Sequence, residues 1–260
     1  MNNLNENKPI LSIVLIIKDF FHLASLSLES VFKQTLENYE VIVVEASKNK
    51  KELIMIKPYL NKISKIIHAD TKNITSLLNM GFKNSNGQYI HYLSAGDTYI
   101  SKYVLSYLSF LISKEHIPDL ICCAFLQRDE MGLPQAVNFS FEYFKRGKIP
   151  MHIQSLWFSR NILNKLKGFD SGYKVQAGFD AICKIFLKKD KRVLFSTRVL
   201  TDYQFKKRTS HFYLLKAYEN LKIIYRNFGF FKTIYWWIVH DHFRMFKLFL
   251  HSLKKAFWQS

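Results

Sequence analysis

The chain has 260 residues, 48% of them hydrophobic and 16% aromatic, and carries a formal net charge of +18. That length buries one sizeable core, or a core domain with an appendage, and so basic a balance calls for an anionic partner: nucleic acid, an anionic membrane or a phosphorylated substrate. The aromatic content and the lack of a recognisable recognition motif argue against nucleic acid, and no apolar run reaches the ~20 uncharged residues that a membrane-spanning helix needs.

Met1 to Pro9 is polar and does not read as a signal peptide. Leu11 to Ile17 is a continuous, β-branched apolar run, which predicts a strand covered on both faces. Phe20 to Gln34 has helical periodicity, with Leu23, Leu26, Ser30, Val31 and Gln34 along one side and Glu29 facing out. Tyr39 to Glu45 predicts a second buried strand, Lys50 to Leu60 a second helix, and Ser64 to His68 a short third strand. Asn73 to Asn84 predicts a helix with Ile74, Leu77, Leu78 and Gly81 on one face. Asn86-Gly87 is a turn signal, Tyr89 to Leu93 a fourth strand, and Ser94-Ala95-Gly96-Asp97 follows at once. Strand and helix alternating three times argue for a mostly parallel sheet flanked by helices. Ligands of such sheets bind beyond the carboxyl ends of the strands. Three loops are thereby placed on the ligand side: Lys18-Asp19, Glu45-Ala46-Ser47 and Ser94 to Asp97.

The second half is less regular. A helix is expected over 101–112, a strand over 120–126, and a turn at Arg128 to Gly132. A strand over 153–159 and a helix over 161–167 follow, then a helix over 179–188 and a strand over 192–195. Cys122 and Cys123 adjoin inside an apolar run, so they face opposite sides of a strand and form neither a disulfide nor a metal clip. With Cys183 they read as small buried hydrophobes of a reducing compartment.

A phosphate-bearing ligand needs charge neutralisation at this edge. A divalent cation on a rigid turn supplies it with one or two protein carboxylates, the remaining ligands being waters and phosphate oxygens. Asp97 is the candidate metal ligand, although an acid after a strand also suits a simple turn or helix cap. Gly96 would let a diphosphate approach the backbone, and Glu45 could accept a hydrogen bond from a nucleotide base.

Several blocks carry a family resemblance: Ser27 to Thr35 followed by Tyr39 to Glu45, Asn79-Met80-Gly81-Phe82 with Asn86-Gly87, Tyr92 to Asp97, Lys148-Ile149-Pro150 through Ser155, Gly168-Phe169-Asp170, and Ala177 to Asp180. In order and spacing they resemble the family 2 glycosyltransferases of GT-A fold over residues 10 to 200. The resemblance implies an α/β, Rossmann-like GT-A fold and metal-dependent, inverting transfer of a sugar from a nucleotide-sugar, by family habit a UDP-sugar, with Mg2+ or Mn2+ as cofactor. By the same resemblance Ile17, Asp19, Glu45, Asn79, Ser94, Ala95 and Gly96 would line the donor, Asp97 would hold the metal, and Asp180 would stand on the acceptor side as the catalytic acid–base residue. The sequence departs from the family where Ile16-Ile17-Lys18-Asp19 stands for a Pro-Thr-Tyr-Asn ending and where Ser94 and Gly96 stand at positions where acids are common. At the family's general-base position stands Gly178, so Asp180 or another nearby acid such as Asp170 takes over, the acceptor is activated differently, or the chain binds a nucleotide-sugar or a partner enzyme without turnover.

From residue 211 onward six Lys and two Arg stand among two acids and many aromatics, including Tyr225, Trp236, Trp237 and Trp258. The chain is therefore expected to divide into a catalytic part over 1–208 and a helical extension over 209–260 that lies on an anionic membrane surface. The acceptor would be a lipid-linked or cell-surface glycan, as in lipopolysaccharide or other polysaccharide synthesis. The protein would be cytoplasmic, on the inner face of the cell membrane.

Overall fold

The computed structural model describes residues 8–18, 21–46, 50–114, 117–128, 131–139, 152–204 and 209–238. Its strands are β1 (Leu11–Ile17), β2 (Tyr39–Glu45), β3 (Lys65–His68), β4 (Tyr89–Ser94), β5 (Thr98–Tyr99), β6 (Leu120–Arg128), β7 (Pro134–Val137), β8 (Leu156–Ser159) and β9 (Val193–Tyr203). They form one sheet in the order β3-β2-β1-β4-β8-β6-β9-β5, with β7 paired to β6. The helices are α1 (Ala24–Phe32), α2 (Ile74–Asn84), α3 (Val104–Lys114), α4 (Arg160–Leu166), α5 (Ala177–Phe186), α6 (Ser210–Phe228) and α7 (Phe230–Trp236).

The alternation of β1 explains the layers. Leu11, Ile13, Leu15 and Ile17 point to one side of the sheet, where they meet Leu28 and Val31 of α1 and Leu105 and Leu108 of α3. Val14 and Ile16 point to the other, into a core with Leu77 and Leu78 of α2 and Ile182 and Ile185 of α5. Each such side chain contributes about 1.5–3 kcal/mol on burial, so the strand is held from both faces. Cys122 and Cys123 fall on opposite sides, one in each core, as their adjacency requires. All three cysteines are buried free thiols, and burial pushes Cys123 up to about 12, which keeps it an unreactive thiol.

Gly81 is where α2 comes closest to the sheet. A Cβ there would lie 2.4 Å from Cγ1 of Val14, so the small residue sets the distance between helix and strand. At the amino end of β1, the Gly87 N–H donates to Ser12 Oγ and to Glu40 Oε1, locking the turn that the dipeptide 86–87 signals.

The expected α/β fold is present, with two refinements. β1 to β4 pair in parallel as the alternation predicts. β8 then joins antiparallel to both β4 and β6, and β9 pairs parallel to β6 and antiparallel to β5, so the whole sheet is mixed. The buried face of α1 is Ala24, Ser27, Leu28 and Val31, not the expected stripe through Leu26 and Gln34. The i, i+3, i+4, i+7 spacing is kept, shifted toward the smaller residues that fit beneath the helix. Lys50–Tyr59 is a 3-10 helix with Pro58 near its end, not the expected α-helix. Ile153–Ser155 is a 3-10 turn, so β8 begins only at Leu156.

Candidate functional site

The carboxyl ends of three adjacent parallel strands make one edge. Register pairs Ile17 with Glu45 and Ile16 with Ser94, so residues far apart in sequence become neighbours. β1 is also where strand order reverses, with β2 and β3 on one side and β4 on the other. Such a reversal opens a crevice beyond the strand ends. The chain leaves this edge through backbone bonds from Ala46 N–H to the Ile17 carbonyl and from Ala95 N–H to the Ile16 carbonyl. Of the expected donor residues, Ile17, Glu45, Ser94, Ala95 and Gly96 are brought together here. Asp19 lies outside the described residues. Glu45 is 5% exposed, and its Oε2 accepts a hydrogen bond from His68 Nδ1 at 3.0 Å.

The turn after β4 is locked from several directions. The Gly96 N–H donates to Ser27 Oγ on α1 at 2.9 Å. Gly96 has φ +97°, and a Cβ there would stand 3.0 Å from Leu23 Cδ1. Both the dihedral and the contact make a larger side chain at this position strained. Asp97 is fully buried. Its Oδ2 accepts the Ser94 N–H at 2.9 Å and its Oδ1 the Gln204 N–H at 3.4 Å, while its own N–H donates to the Ser94 carbonyl. Asp97 thus closes its own turn and ties it to the end of β9.

That geometry tests the expected cation. A hard divalent ion needs oxygen ligands presented to a cleft. Asp97 turns inward onto amides, Gly96 offers no side chain, and the Ser94 hydroxyl receives Gln154 Nε2 at 3.2 Å. Among the described residues no group of three or more His, Cys, Asp or Glu could hold a metal. Asp97 is the carboxylate this turn offers, and its two oxygens already accept the amides of Ser94 and Gln204.

A second polar cluster lies between α5 and α6. Asp180 is 1% exposed, and its Oδ2 pairs with Lys184 Nζ at 2.6 Å, one helical turn away. Burial raises its carboxyl above the usual range, and the Lys184 ammonium opposes that shift. Lys184 also reaches Asp170, which in turn meets Arg226 of α6, each at 3.2 Å. Glu219, buried on α6, accepts the N–H groups of Lys174, Val175 and Gln176 at 2.7–3.0 Å. This is a joint that fixes α6 to the loop before α5. Asp180, expected as the proton acceptor, is enclosed in it, because a half-paired carboxylate inside the core is held by the nearest ammonium. Gly178 lies in the first turn of α5, against Ile153.

Asn79 also differs from its expected donor role. Its Oδ1 accepts the Phe169 N–H and its Nδ2 donates to the Phe169 carbonyl, both at 2.8 Å. An amide engaged at both ends with one peptide is a clasp between α2 and the loop after α4.

Two positioning groups escape sequence reasoning. His91, fully buried in β4, stacks on Trp157 at 3.8 Å, accepts the Tyr99 hydroxyl at Nδ1, and donates from Nε2 to the Gln154 carbonyl. Burial lowers it to about 3, so the ring is neutral. Gln154 then reaches Ser94, which links the core to the edge. Gln34 Nε2 donates to the Ser101 carbonyl, and Gln34 Oε1 accepts the Leu105 N–H, clamping the start of α3. The available signal was polar residues inside otherwise apolar blocks.

Comparison with known proteins follows from this geometry. The family model described as Glycosyl transferase family 2 matches residues 13–167, more than half of the chain. An uncharacterized glycosyltransferase of Rickettsia typhi (strain ATCC VR-144 / Wilmington) is 28% identical over 122 residues, 46% of this chain and 38% of the relative. Another, of Rickettsia prowazekii (strain Madrid E), is 24% identical over 210 residues, 75% of this chain and 65% of the relative. The chain thus spans less than two thirds of the length of either relative. Among solved structures it is similar to S. aureus TarS in complex with UDP, with TM-score 0.62 at 16% identity, covering 84% of this chain and 66% of that one. It is likewise similar to the mannosyltransferase PcManGT from Pyrobaculum calidifontis in complex with GDP-Man and Mn2+, with TM-score 0.64 at 12% identity, covering 84% of this chain and 64% of that one. At such identities the likeness shows the fold.

Proposed function

The chain belongs to glycosyl transferase family 2, and from that premise we propose that it moves a sugar from a nucleotide-sugar, a UDP-sugar by preference, to a lipid-linked or cell-surface glycan. The observation that carries the proposal is the edge itself: Ile17, Glu45 and Ser94 at the ends of three registered parallel strands, at the point where strand order reverses. Glu45 receives an N–H of the base. The locked backbone from Ser94 to Gly96 faces the diphosphate, and Lys18, directly after β1, adds positive potential there. In the inverting transfer the acceptor hydroxyl forms its bond to the anomeric carbon as the bond to the diphosphate breaks. The acceptor's proton passes to water or to a phosphate oxygen of the departing nucleoside diphosphate, and Asp180, closed onto Lys184, serves as a positioning residue. In this reading residues 209–260 form a membrane-facing extension, of which 239–260 lie outside the described residues. In support, Tyr218, Tyr225, Phe230, Phe231, Tyr235 and Trp237 are exposed beside Lys222 and Lys232, an aromatic and basic mixture suited to an anionic headgroup layer.

Two measurements test this reading. UDP release from UDP-N-acetylglucosamine is followed in the presence of a bacterial envelope lipid extract, with GDP-mannose and dTDP-glucose in parallel. Release that needs the extract is expected. Saturable binding of these donors with no release from any of them would leave a binder without turnover and overturn the transfer. Sedimentation with anionic vesicles tests the extension, and equal binding after removal of residues from 209 onward would remove its membrane role.

A further inference from the structure

We propose that Lys174 and Lys222 form a seat for the phosphate that joins lipid to glycan in a lipid-linked acceptor. The inference rests on the reading of this chain as a glycosyltransferase with a membrane-facing extension. The two lysines come from different elements, Lys174 from the loop between α4 and α5 and Lys222 from α6, and both are exposed. Two contacts bring them to one place. Glu219, buried on α6, accepts the Lys174 N–H at 2.7 Å, and Lys222 stands about one helical turn after Glu219. The Lys222 ammonium also lies 5.5 Å from the centre of the ring of Tyr173, the residue that precedes Lys174.

The charges around this pair are balanced, and those of the pair are not. Lys184 is closed onto Asp180 and Asp170, Arg226 onto Asp170, and Glu219 onto three peptide N–H groups. Among the described residues neither the Lys174 nor the Lys222 ammonium is paired with a carboxylate. An ammonium is a point charge suited to phosphate, and the backbone that carries Lys174 is fixed before any ligand arrives. The place of the pair decides which phosphate it takes. On the catalytic side, Thr75, in the first turn of α2 beyond the carboxyl end of β3, donates its hydroxyl to the Tyr173 carbonyl. The loop then runs into α5, where Gly178 rests against Ile153, the neighbour of the Gln154 that reaches Ser94. On the other side, Lys222 lies between Tyr218 and Tyr225, both exposed at helical spacing among the aromatics assigned to the headgroup layer. A phosphate held between the lysines has its lipid toward the extension and its glycan toward the donor edge. The donor's own diphosphate belongs to the turn after β4.

The test is sedimentation with phosphatidylcholine vesicles that carry either an isoprenoid alcohol phosphate or phosphatidylglycerol at equal surface charge. The full chain is compared with Lys174→Ala, Lys174→Arg and Lys222→Ala. The unaltered chain is expected to bind the isoprenoid phosphate vesicles about tenfold more tightly than the others. Lys174→Ala should weaken that binding about fivefold, the effect of one cation at a charged surface, and leave phosphatidylglycerol binding unchanged. Lys174→Arg should keep the preference, and Lys222→Ala should weaken the isoprenoid phosphate more than phosphatidylglycerol. The exposed positions leave the fold intact, which circular dichroism checks. Equal affinity of the unaltered chain for both vesicles, or an equal loss on both in Lys174→Ala, overturns the inference while the membrane reading stands, since the lysines then serve any headgroup. Calorimetric binding of inorganic phosphate that is lost in Lys174→Ala, together with equal vesicle affinities, assigns the seat to free phosphate and overturns the lipid-linked acceptor. If neither vesicle binds the unaltered chain, the extension reading falls and takes the inference with it.

Discussion

The sheet edge around β1 and the joint between α5 and α6 both contain carboxylates, and they use them differently. At the edge, Glu45 ends β2 and accepts a hydrogen bond from His68 on the next strand, and the turn after β4 is held by backbone and small side chains. At the joint, Asp170, Asp180 and Glu219 all turn onto Lys184, Arg226 or peptide N–H groups. The joint is held by charged side chains closed onto ammonium and peptide N–H groups, whereas the edge is held by strand register and by the backbone of its turns. Residue type alone does not separate the two; the partners do.

The largest blow to the joint is expected from Glu219→Ala, which leaves three peptide N–H groups without their charged acceptor. A loss of about 3–4 kcal/mol in urea denaturation is expected, and a loss under about 1 kcal/mol would break the contrast. At the edge, Asp97→Ala should cost about 2–3 kcal/mol by opening the turn. It should also weaken UDP binding equally in Mn2+ and in EDTA. A Mn2+-dependent gain in affinity that disappears only in this variant would make Asp97 an outward-facing ligand after all.

His91 sharpens the comparison through pH. Burial holds its folded pKa at about 3, against 6.5 for the exposed ring. Below 6.5 the unfolded chain takes up a proton that the folded one refuses. Stability is therefore full above that value and falls as the pH drops toward 3. Between pH 6 and 5 the loss should be about 1.2 kcal/mol. Denaturation midpoints across that range, compared with His91→Gln, read the slope directly, and an equal slope in the variant would place the acid sensitivity elsewhere. The smallest effect on stability is expected from Gly178→Asp. The atoms nearest to a Cβ there belong to Ile153, at 3.4 Å or beyond, and an acid suits the first turn of a helix, so the midpoint should hold within about 1 kcal/mol. UDP release should rise in this variant if the missing acid limits turnover, and no rise would place the limit elsewhere.

The first half of the fold was legible because its strands are unbroken apolar runs. β1, β2 and β4 each bury nearly every residue, and the helices between them carry clear faces. β9 was not. It runs from Val193 to Tyr203 with exposed positions in its middle and a register shift against β6, so its apolar signal stops at Phe195. β5, two residues long, has no pattern of its own and exists because Thr98 and Tyr99 find Asp202 and Thr201. At the site, the place of Glu45 was readable from the end of an apolar run. The inward turn of Asp97 was not, since an acid after a strand can face a ligand or close its own loop. The pairing of Asp180 was open to view: Lys184 stands one helical turn later among apolar residues, the spacing of an ion pair.

The bond from Gln204 to Asp97 has a practical consequence for anyone dividing this protein. The stretch matched by the family model stops at residue 167, yet the turn after β4 is completed by an amide from beyond β9. A fragment cut at that boundary would retain β1 to β4 and lose the amide of Gln204 that Asp97 accepts. Truncation series should therefore begin past residue 204.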